Sequence, residues 1–208
     1  PRLDDDAIER VRAQMIAGLK REAKDPDALA GKAWRETAFG AHPYALPARG
    51  DLDTIPAITR DDLLAMRRRL MARDNLRVSV VGAIDAGKLA ALLDEVFGAL
   101  PDHCDLAPVA DVSMGGMGEC KVVDLDVPQS TIRFGLPGLR RDDPDFWPAV
   151  VVNHILGGGV FSARLFREVR EKRGLAYSVH SQLMTYDQAA LFSGGTSTKN
   201  ERAAESLA

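Results

Sequence analysis

A helix that leads directly into two paired strands, over residues 162–198, most constrains how this chain can fold. The segment SARLFREVREKR places Leu165 and Phe166 on one helical face, and Gly174 then fits the left-handed position that ends many helices. Two segments of strand character follow, LAYSVHSQLMTY and QAALFSGGTST, with a tight turn at Asp187 between them. Because a tight turn joins antiparallel neighbours, the pattern predicts an antiparallel hairpin after the helix.

The rest of the chain mixes helix and strand signals without regular alternation. Further helices are predicted over residues 4–23, 28–39, 60–72, 86–98 and 145–156, the third of them behind a capping box of Thr59 and Asp62. Further strands are predicted over residues 76–82, 119–127 and 130–138. Since a doubly wound parallel sheet needs strands and helices to alternate, the order favours an α+β fold with largely antiparallel sheets.

A stretch rich in proline and glycine divides the chain. Residues 101–118, PDHCDLAPVADVSMGGMG, lack hydrophobic periodicity and predict an interdomain linker. One domain is therefore expected over residues 1–100 and a second over residues 119–208. Cys104 and Cys120 bracket part of this stretch, and they could form one disulfide or remain free thiols.

Composition excludes several classes of protein. The 208 residues are 46% hydrophobic with a formal charge of −3, and the basic residues are scattered, so nucleic-acid binding is not supported. No apolar run approaches the roughly 20 residues of a membrane span, so no membrane insertion is expected. The chain starts at Pro1 without a methionine and stops within a predicted helix, which suggests a piece of a longer protein. The absence of a targeting segment therefore says nothing about the compartment.

Common catalytic and ligand-binding motifs are absent from the sequence. The glycine run in LGGGVF joins two predicted helices and lacks a following Gly-Lys-Ser/Thr, so it predicts a flexible turn rather than a phosphate loop. No pair of histidines has the spacing that holds zinc on a helix, and no Gly-x-Ser-x-Gly element occurs. The histidines in question are His42, His103, His154 and His180.

The turn at Gly174 can bring Arg170, near the end of one helix, close to Tyr177, early in the next strand. A guanidinium and a phenol are hydrogen-bond donors that suit a carbonyl oxygen, and they suit it better when that oxygen gains negative charge. Neither group activates water, so a nucleophile would have to come from elsewhere. On the residues alone, a solvated Arg170 and a Tyr177 that packs at a strand edge remain the commoner situation.

Two long segments resemble the pitrilysin/insulinase family of zinc endopeptidases, which includes the mitochondrial processing peptidases. LGGGVFSARLFREVREKRGLAYSV resembles part of that family's second domain, and HPYALPARGDLDTIPAITRDDLLAMRRRLMARDNLRVSVVGAID resembles the late part of its first domain. The resemblance implies repeated α+β domains, each a largely antiparallel sheet with helices packed on it, around a chamber for an unfolded peptide. Residues 1–100 would be the C-terminal half of the first domain, and residues 119–208 the N-terminal part of an inactive-type second domain.

The resemblance also implies roles for particular residues. In the family an arginine and a tyrosine, separated by six residues, reach the active site from the domain that faces the zinc, and Arg170 and Tyr177 match that spacing. The catalytic chains hold zinc with His-x-x-Glu-His and a later glutamate. The first motif would lie upstream of Pro1, Gly18 stands where the later glutamate is expected, and Val11 stands at a companion acidic position.

These matches and departures imply a non-zinc subunit that is inactive alone. No cofactor is expected in this chain, and zinc is expected on a partner or on a missing upstream segment. The expected partners are a peptide substrate and a zinc-bearing subunit of the same family, or a second copy of the chain. A structural homologue that serves assembly and a piece of a self-sufficient zinc endopeptidase remain alternatives. The bacterial periplasm is favoured over the cytoplasm, because paired bacterial members of the family are often exported.

Overall fold

A computed structural model of the chain describes residues 2–208, apart from the side chain of Val160. Contacts divide the chain into two units, one of Pro1–Ile16 with Leu52–Pro108 and one of Ala17–Asp51 with Val109–Ala208. The helices, together with a three-stranded antiparallel sheet in the second unit, confirm the predicted α+β class. Within residues 2–208, no helix has both the length and the apolar character needed to span a bilayer.

The secondary-structure elements follow one another in this order. The α-helices are α1 (Asp5–Glu22), α2 (Pro26–Phe39), α3 (Thr54–Ala57), α4 (Arg60–Leu70), α5 (Ala86–Phe97), α6 (Phe146–Asn153) and α7 (Ala203–Leu207). The strands are β1 (Gln129–Pro137), β2 (Ala176–Thr185) and β3 (Ala190–Lys199). Two π-helical segments are His154–Gly158 and Phe166–Lys172. Short 3₁₀ turns are Pro43–Ala45, Arg73–Asn75, Val160–Ser162 and Asn200–Arg202.

Capping residues that are visible in the sequence decide where helices begin. The backbone N–H of Thr59 donates to Asp62, and the N–H of Asp62 donates to the Thr59 hydroxyl, so the predicted capping box opens α4. Hydrogen bonds from Thr59 also hold the pKa of the Asp62 carboxyl below its usual range. The side chain of Asp25 caps α2, and Pro26 occupies its first turn, so α2 begins two residues before the predicted start.

Two of the predicted strands are wrong. Residues 76–82 and 119–127 are irregular, although both have the alternation and the valines of a strand. A strand is stable only when its backbone pairs with a neighbour and one of its faces is covered. No described residue pairs with either segment, and Val78, Val81 and Val122 are exposed. Local strand propensity therefore finds no partner at these two places.

The sheet of the second unit has the strand order β1-β3-β2 and antiparallel pairs throughout. On one face, the indole of Trp34 in α2 approaches Gly135 of β1, which pairs with Ser193 of β3. On the other face, Gly157 of the first π-helical segment lies against Ser181 of β2. Successive residues of a strand face opposite ways, so helical segments cover the two faces of one sheet.

The main hydrophobic core lies between α2 and the sheet. Leu191 of β3 is at its centre and is 1% exposed. The other buried members come from α2, from the chain after it and from the residue before β3, namely Ala38, Phe39, Ala45 and Ala189. Arg133 of β1 lies at the edge of this region and binds both carboxylate oxygens of Asp27 in α2 at 2.7 Å. Packing and this ion pair together hold α2 on the sheet.

The glycine run at residues 157–159 is required for close packing, so the predicted flexible turn is wrong for Gly157. This residue is buried within the π-helical segment. A β-carbon added there would lie 2.4 Å from the Ser181 hydroxyl and 2.7 Å from the Ser181 backbone nitrogen. The helical backbone approaches β2 so closely that only a residue without a side chain fits.

We expect Gly157→Ala to destabilise the protein by roughly 1–3 kcal/mol, because the new methyl group overpacks this contact. Gly31→Ala in α2 is the matched control. There, the nearest atom to an added β-carbon is 3.5 Å away on a flexible guanidinium, and alanine is expected to stabilise the helix by roughly 0.5–1 kcal/mol. Urea unfolding of the two variants measures the difference. Equal midpoints for both variants would contradict the packing role of Gly157.

Candidate functional site

A tight reversal of the chain joins the second π-helical segment to β2. Gly174 has φ +59°, the left-handed conformation that the sequence predicts for it. Its N–H donates to the carbonyl of Arg170 at 3.0 Å, and the N–H of Leu175 donates to the carbonyl of Val169 at 2.9 Å. Strand β2 then begins at Ala176. The last turn of the helix and the first residues of the strand are thereby held side by side.

This reversal brings Arg170 and Tyr177 into contact. The guanidinium carbon of Arg170 lies 4.7 Å from the centroid of the Tyr177 ring, which is a cation–π distance. Tyr177 is 82% exposed, and Arg170 is half-buried. The pair is therefore accessible to a ligand. A role for the two residues in binding or catalysis stays a prediction.

The ring of Phe166 also contacts Arg170, and the sequence pattern does not reveal this contact. The pattern assigns Phe166 to the hydrophobic face of the helix, and the side chain is indeed buried. Its ring also lies 4.6 Å from the Arg170 guanidinium, so the cation contacts the rings of both Phe166 and Tyr177. The signal available in the sequence is the spacing of four residues between Phe166 and Arg170, which places both side chains on one side of a helix.

The pair lies beside an unpaired strand edge. In the described part of the chain, β2 pairs only with β3, so its other edge is open to another strand. Along β2, Tyr177, His180 and Gln182 are exposed, whereas Val179 and Ser181 are buried. An extended peptide can add to such an edge through its backbone hydrogen bonds.

The described residues do not form a metal site. Across residues 2–208 no group of three or more His, Cys, Asp or Glu side chains is arranged to hold a metal ion. Gly18 and Val11, the two positions at which the zinc family is expected to carry acidic side chains, both lie in α1 and cannot serve as zinc ligands. The residues that the structure describes therefore offer no donor set that fits a zinc ion.

The histidines and cysteines have other contacts or are exposed. His42 accepts a hydrogen bond from the N–H of Tyr44, and His103 lies 3.3 Å from a carboxylate oxygen of Asp74. His154 and His180 are exposed. Cys104 and Cys120 are free thiols, so the structure does not contain the disulfide that the sequence left open.

Comparisons with known proteins agree with this architecture. The model of a family described as peptidase M16 inactive domain matches residues 57–208. An uncharacterized zinc protease of Streptomyces coelicolor is 32% identical over 196 residues, which are 91% of this chain and 42% of that protein. A non-peptidase homolog of Helicobacter pylori is 29% identical over 209 residues, which cover 100% of this chain and 48% of that protein.

A solved structure shows the same fold at similar identity. The crystal structure of a peptidase M16 inactive domain from Pseudomonas fluorescens superposes with a TM-score of 0.89 and 32% identity, over 100% of this chain and 50% of that chain. The chain thus spans about half the length of the relatives that it matches. Because the family model covers most of the chain, the protein belongs to the peptidase M16 inactive-domain family.

Proposed function

We propose that this chain is part of a non-zinc, substrate-binding subunit of a heteromeric peptidase, and that Arg170 and Tyr177 act at a zinc site on a partner chain. The observation that carries the proposal is the contact between the two side chains at an exposed strand edge, with the guanidinium 4.7 Å from the phenol ring. The pair belongs to the expected second domain, residues 119–208. The family membership and the lack of a metal-ligand group among residues 2–208 support the same assignment.

The chemistry of the pair suits binding and charge stabilisation. A peptide laid along the open edge of β2 would place a backbone carbonyl within reach of the Arg170 guanidinium and the Tyr177 hydroxyl. Donors that are already in place stabilise the negative charge that develops on this oxygen during attack, because they need no reorganisation at that moment. The described residues hold no group of side chains that could bind a metal ion, so we assign only these two tasks to this chain. The attacking water would be activated elsewhere.

The requirement for a partner can be tested on the natural full-length protein. We expect the purified protein alone to hold no stoichiometric zinc and to leave an extended fluorogenic peptide uncut. Addition of a family subunit that carries His-x-x-Glu-His is expected to start cleavage, because the second chain supplies the metal. Elemental analysis and the rate of peptide cleavage are the two measurements.

The control is the same mixture with the glutamate of the partner's His-x-x-Glu-His replaced by glutamine, which is expected to abolish cleavage. Stoichiometric zinc and cleavage by the protein alone would contradict the proposal, and they would favour a self-sufficient endopeptidase. If the species that cleaves the peptide has the molecular mass of two identical chains, the proposed hetero-oligomer would be replaced by a homodimer.

A non-catalytic role in assembly is the second candidate. The observation that favours it is the 29% identity, over the whole of this chain, to the Helicobacter pylori protein described as a non-peptidase homolog. On this alternative, Arg170 and Tyr177 would be surface residues without effect on any reaction. The two candidates therefore differ most clearly in the result of substituting this pair.

A further inference from the structure

Strand β2 contains a bulge at the position of Tyr177. Ala176 lies opposite Thr198 and Val179 lies opposite Thr196, so three steps along β2 match two steps along β3. One extra residue is therefore inserted into β2. Ala176 and Val179 are both buried, and the two residues between them, Tyr177 and Ser178, are both exposed.

The bulge decides which face of the sheet Tyr177 occupies. From Val179 to Thr185, β2 pairs without interruption with β3, from Thr196 back to Ala190. If the strand kept this register without a bulge, residue 177 would lie two positions before Val179 and would share its buried face, because side chains alternate along a strand. The extra residue shifts the alternation of side chains by one position, so residue 177 no longer shares the face of Val179. Tyr177 is accordingly exposed, and its ring contacts Arg170.

Two threonines of β3 bond to carbonyl groups at the two ends of the bulge, one within it and one just before β2 begins. A bulge interrupts the ladder and leaves backbone groups that need other partners. The hydroxyl of Thr196 donates to the carbonyl of Ser178 at 2.9 Å, and the hydroxyl of Thr198 donates to the carbonyl of Leu175 at 2.6 Å. Both threonines are buried. The two hydroxyls thus bond to the backbone before and after Tyr177 in the chain, at Leu175 and Ser178.

The same bonds connect the strand to the helix that carries Arg170. The N–H of Leu175 donates to the carbonyl of Val169, while its carbonyl accepts from Thr198. Leu175 is therefore held at both backbone groups, between the helix end and β3. A shift of Leu175 would change the distance between the Arg170 guanidinium and the Tyr177 ring.

We infer that Thr196 and Thr198 are positioning residues: their hydroxyls hold the bulge of β2 and thereby aim Tyr177 beside Arg170. The consequence for peptide cleavage rests on the proposed function, whereas the consequence for the tyrosine ring does not. Both threonines are buried within the sheet. Both act through the backbone of β2.

Isosteric substitution separates this role from ordinary strand stability. Thr→Val at position 196 or 198 keeps the shape and the β-branched side chain but removes the hydroxyl, whereas Thr→Ser keeps the hydroxyl and has a lower strand propensity. If these threonines only stabilise the strand, valine should be tolerated better than serine. If they hold the bulge, serine should be tolerated better than valine. Thr131→Val in β1, whose hydroxyl lies 3.4 Å from Ser197, is the matched control for the loss of a hydroxyl in the same sheet.

The first measurement is the aromatic ¹H–¹³C signal of Tyr177 in the full-length protein, assigned by its loss in Tyr177→Phe. Stacking against Arg170 sets the position of this signal. We expect both valine variants to move it, and we expect both serine variants and Thr131→Val to leave it in place. If Thr198→Val does not fold, Thr196→Val makes the same test, because its hydrogen bond is only part-buried.

The second measurement is the cleavage rate of the complex with a zinc-bearing partner. We expect the valine variants to lower kcat about tenfold to a hundredfold, as a small displacement of a catalytic group does. KM is expected to stay within about twofold, because the affected interaction forms in the transition state. The serine variants should restore kcat.

The two measurements distinguish failure of this inference from failure of the proposed function. An unchanged Tyr177 signal in folded valine variants, or serine variants that lose as much as the valine variants, would overturn the positioning role. A shifted signal together with normal cleavage in Arg170→Ala and Tyr177→Phe would overturn the proposed function and leave the positioning role standing.

Discussion

Replacing Arg170 by alanine in a complex with a zinc-bearing partner is expected to lower kcat by about 10²–10³-fold, the usual effect of removing a donor that stabilises an oxyanion. Tyr177→Phe removes only the hydroxyl and keeps the ring that contacts Arg170, and we expect a similar loss. KM should change little for either variant, because the charge on the carbonyl oxygen develops only in the transition state. Steady-state kinetics with an extended fluorogenic peptide measures both constants.

Two further substitutions, Arg164→Ala and Arg170→Lys, provide the controls. Arg164 is an exposed arginine two residues before the segment Phe166–Lys172, and Arg164→Ala is expected to leave both constants at their normal values. Arg170→Lys keeps the charge but loses the planar guanidinium that contacts two rings, so it should not restore kcat. Because the two donors bind one oxygen, the double variant should lose less than the product of the single losses. Normal kcat in Arg170→Ala and Tyr177→Phe would favour the assembly role.

Leu191→Ala is expected to have the largest effect on stability, a loss of about 2–5 kcal/mol in the free energy of unfolding. Leu191 is 1% exposed at the centre of the core between α2 and the sheet, so its truncation removes apolar contacts and leaves a cavity. Urea unfolding provides the measurement. The midpoint should fall clearly, with an unchanged dependence on denaturant concentration.

Leu136→Ala is the matched control for this prediction. Leu136 lies on β1 of the same sheet and is 51% exposed, so its truncation should change the free energy of unfolding by no more than about 0.5 kcal/mol. Equal losses in the two variants would show that Leu191 does not lie in a close-packed core. A loss at Leu191 accompanied by a changed dependence on denaturant would point instead to an altered unfolded state.

Much of the secondary structure follows from local signals. The capping groups of Thr59 and Asp25, and the left-handed residue Gly174, act on neighbours within three or four positions, so their effects are visible in the sequence. The hairpin of β2 and β3 is also local, since a short turn joins its strands. Residues 76–82 and 119–127 have equally good strand signals, yet they lack a partner among the described residues. Strand formation depends on that partner.

Some features of the candidate site could likewise be predicted from the sequence, whereas others depend on the tertiary structure. Arg170 and Tyr177 are seven positions apart on either side of one turn, so their contact could be predicted from the sequence and the resemblance. The contact of Phe166 with Arg170 was only partly visible, because the hydrophobic spacing of Phe166 also fits an ordinary core residue. The contributions of Thr196 and Thr198 could not be predicted, since they depend on the register between β2 and β3.

The sequence by itself determined the α+β class, the capping box that opens α4 and the left-handed turn at Gly174, because each depends on signals that are visible along the chain. Only the tertiary structure decided which predicted strands lack a partner, why Gly157 must lack a side chain and why Tyr177 is exposed. Those outcomes depend on contacts between residues that are distant in the chain. A bulge of one residue, held by two hydroxyl groups, is enough to reverse the direction of a side chain.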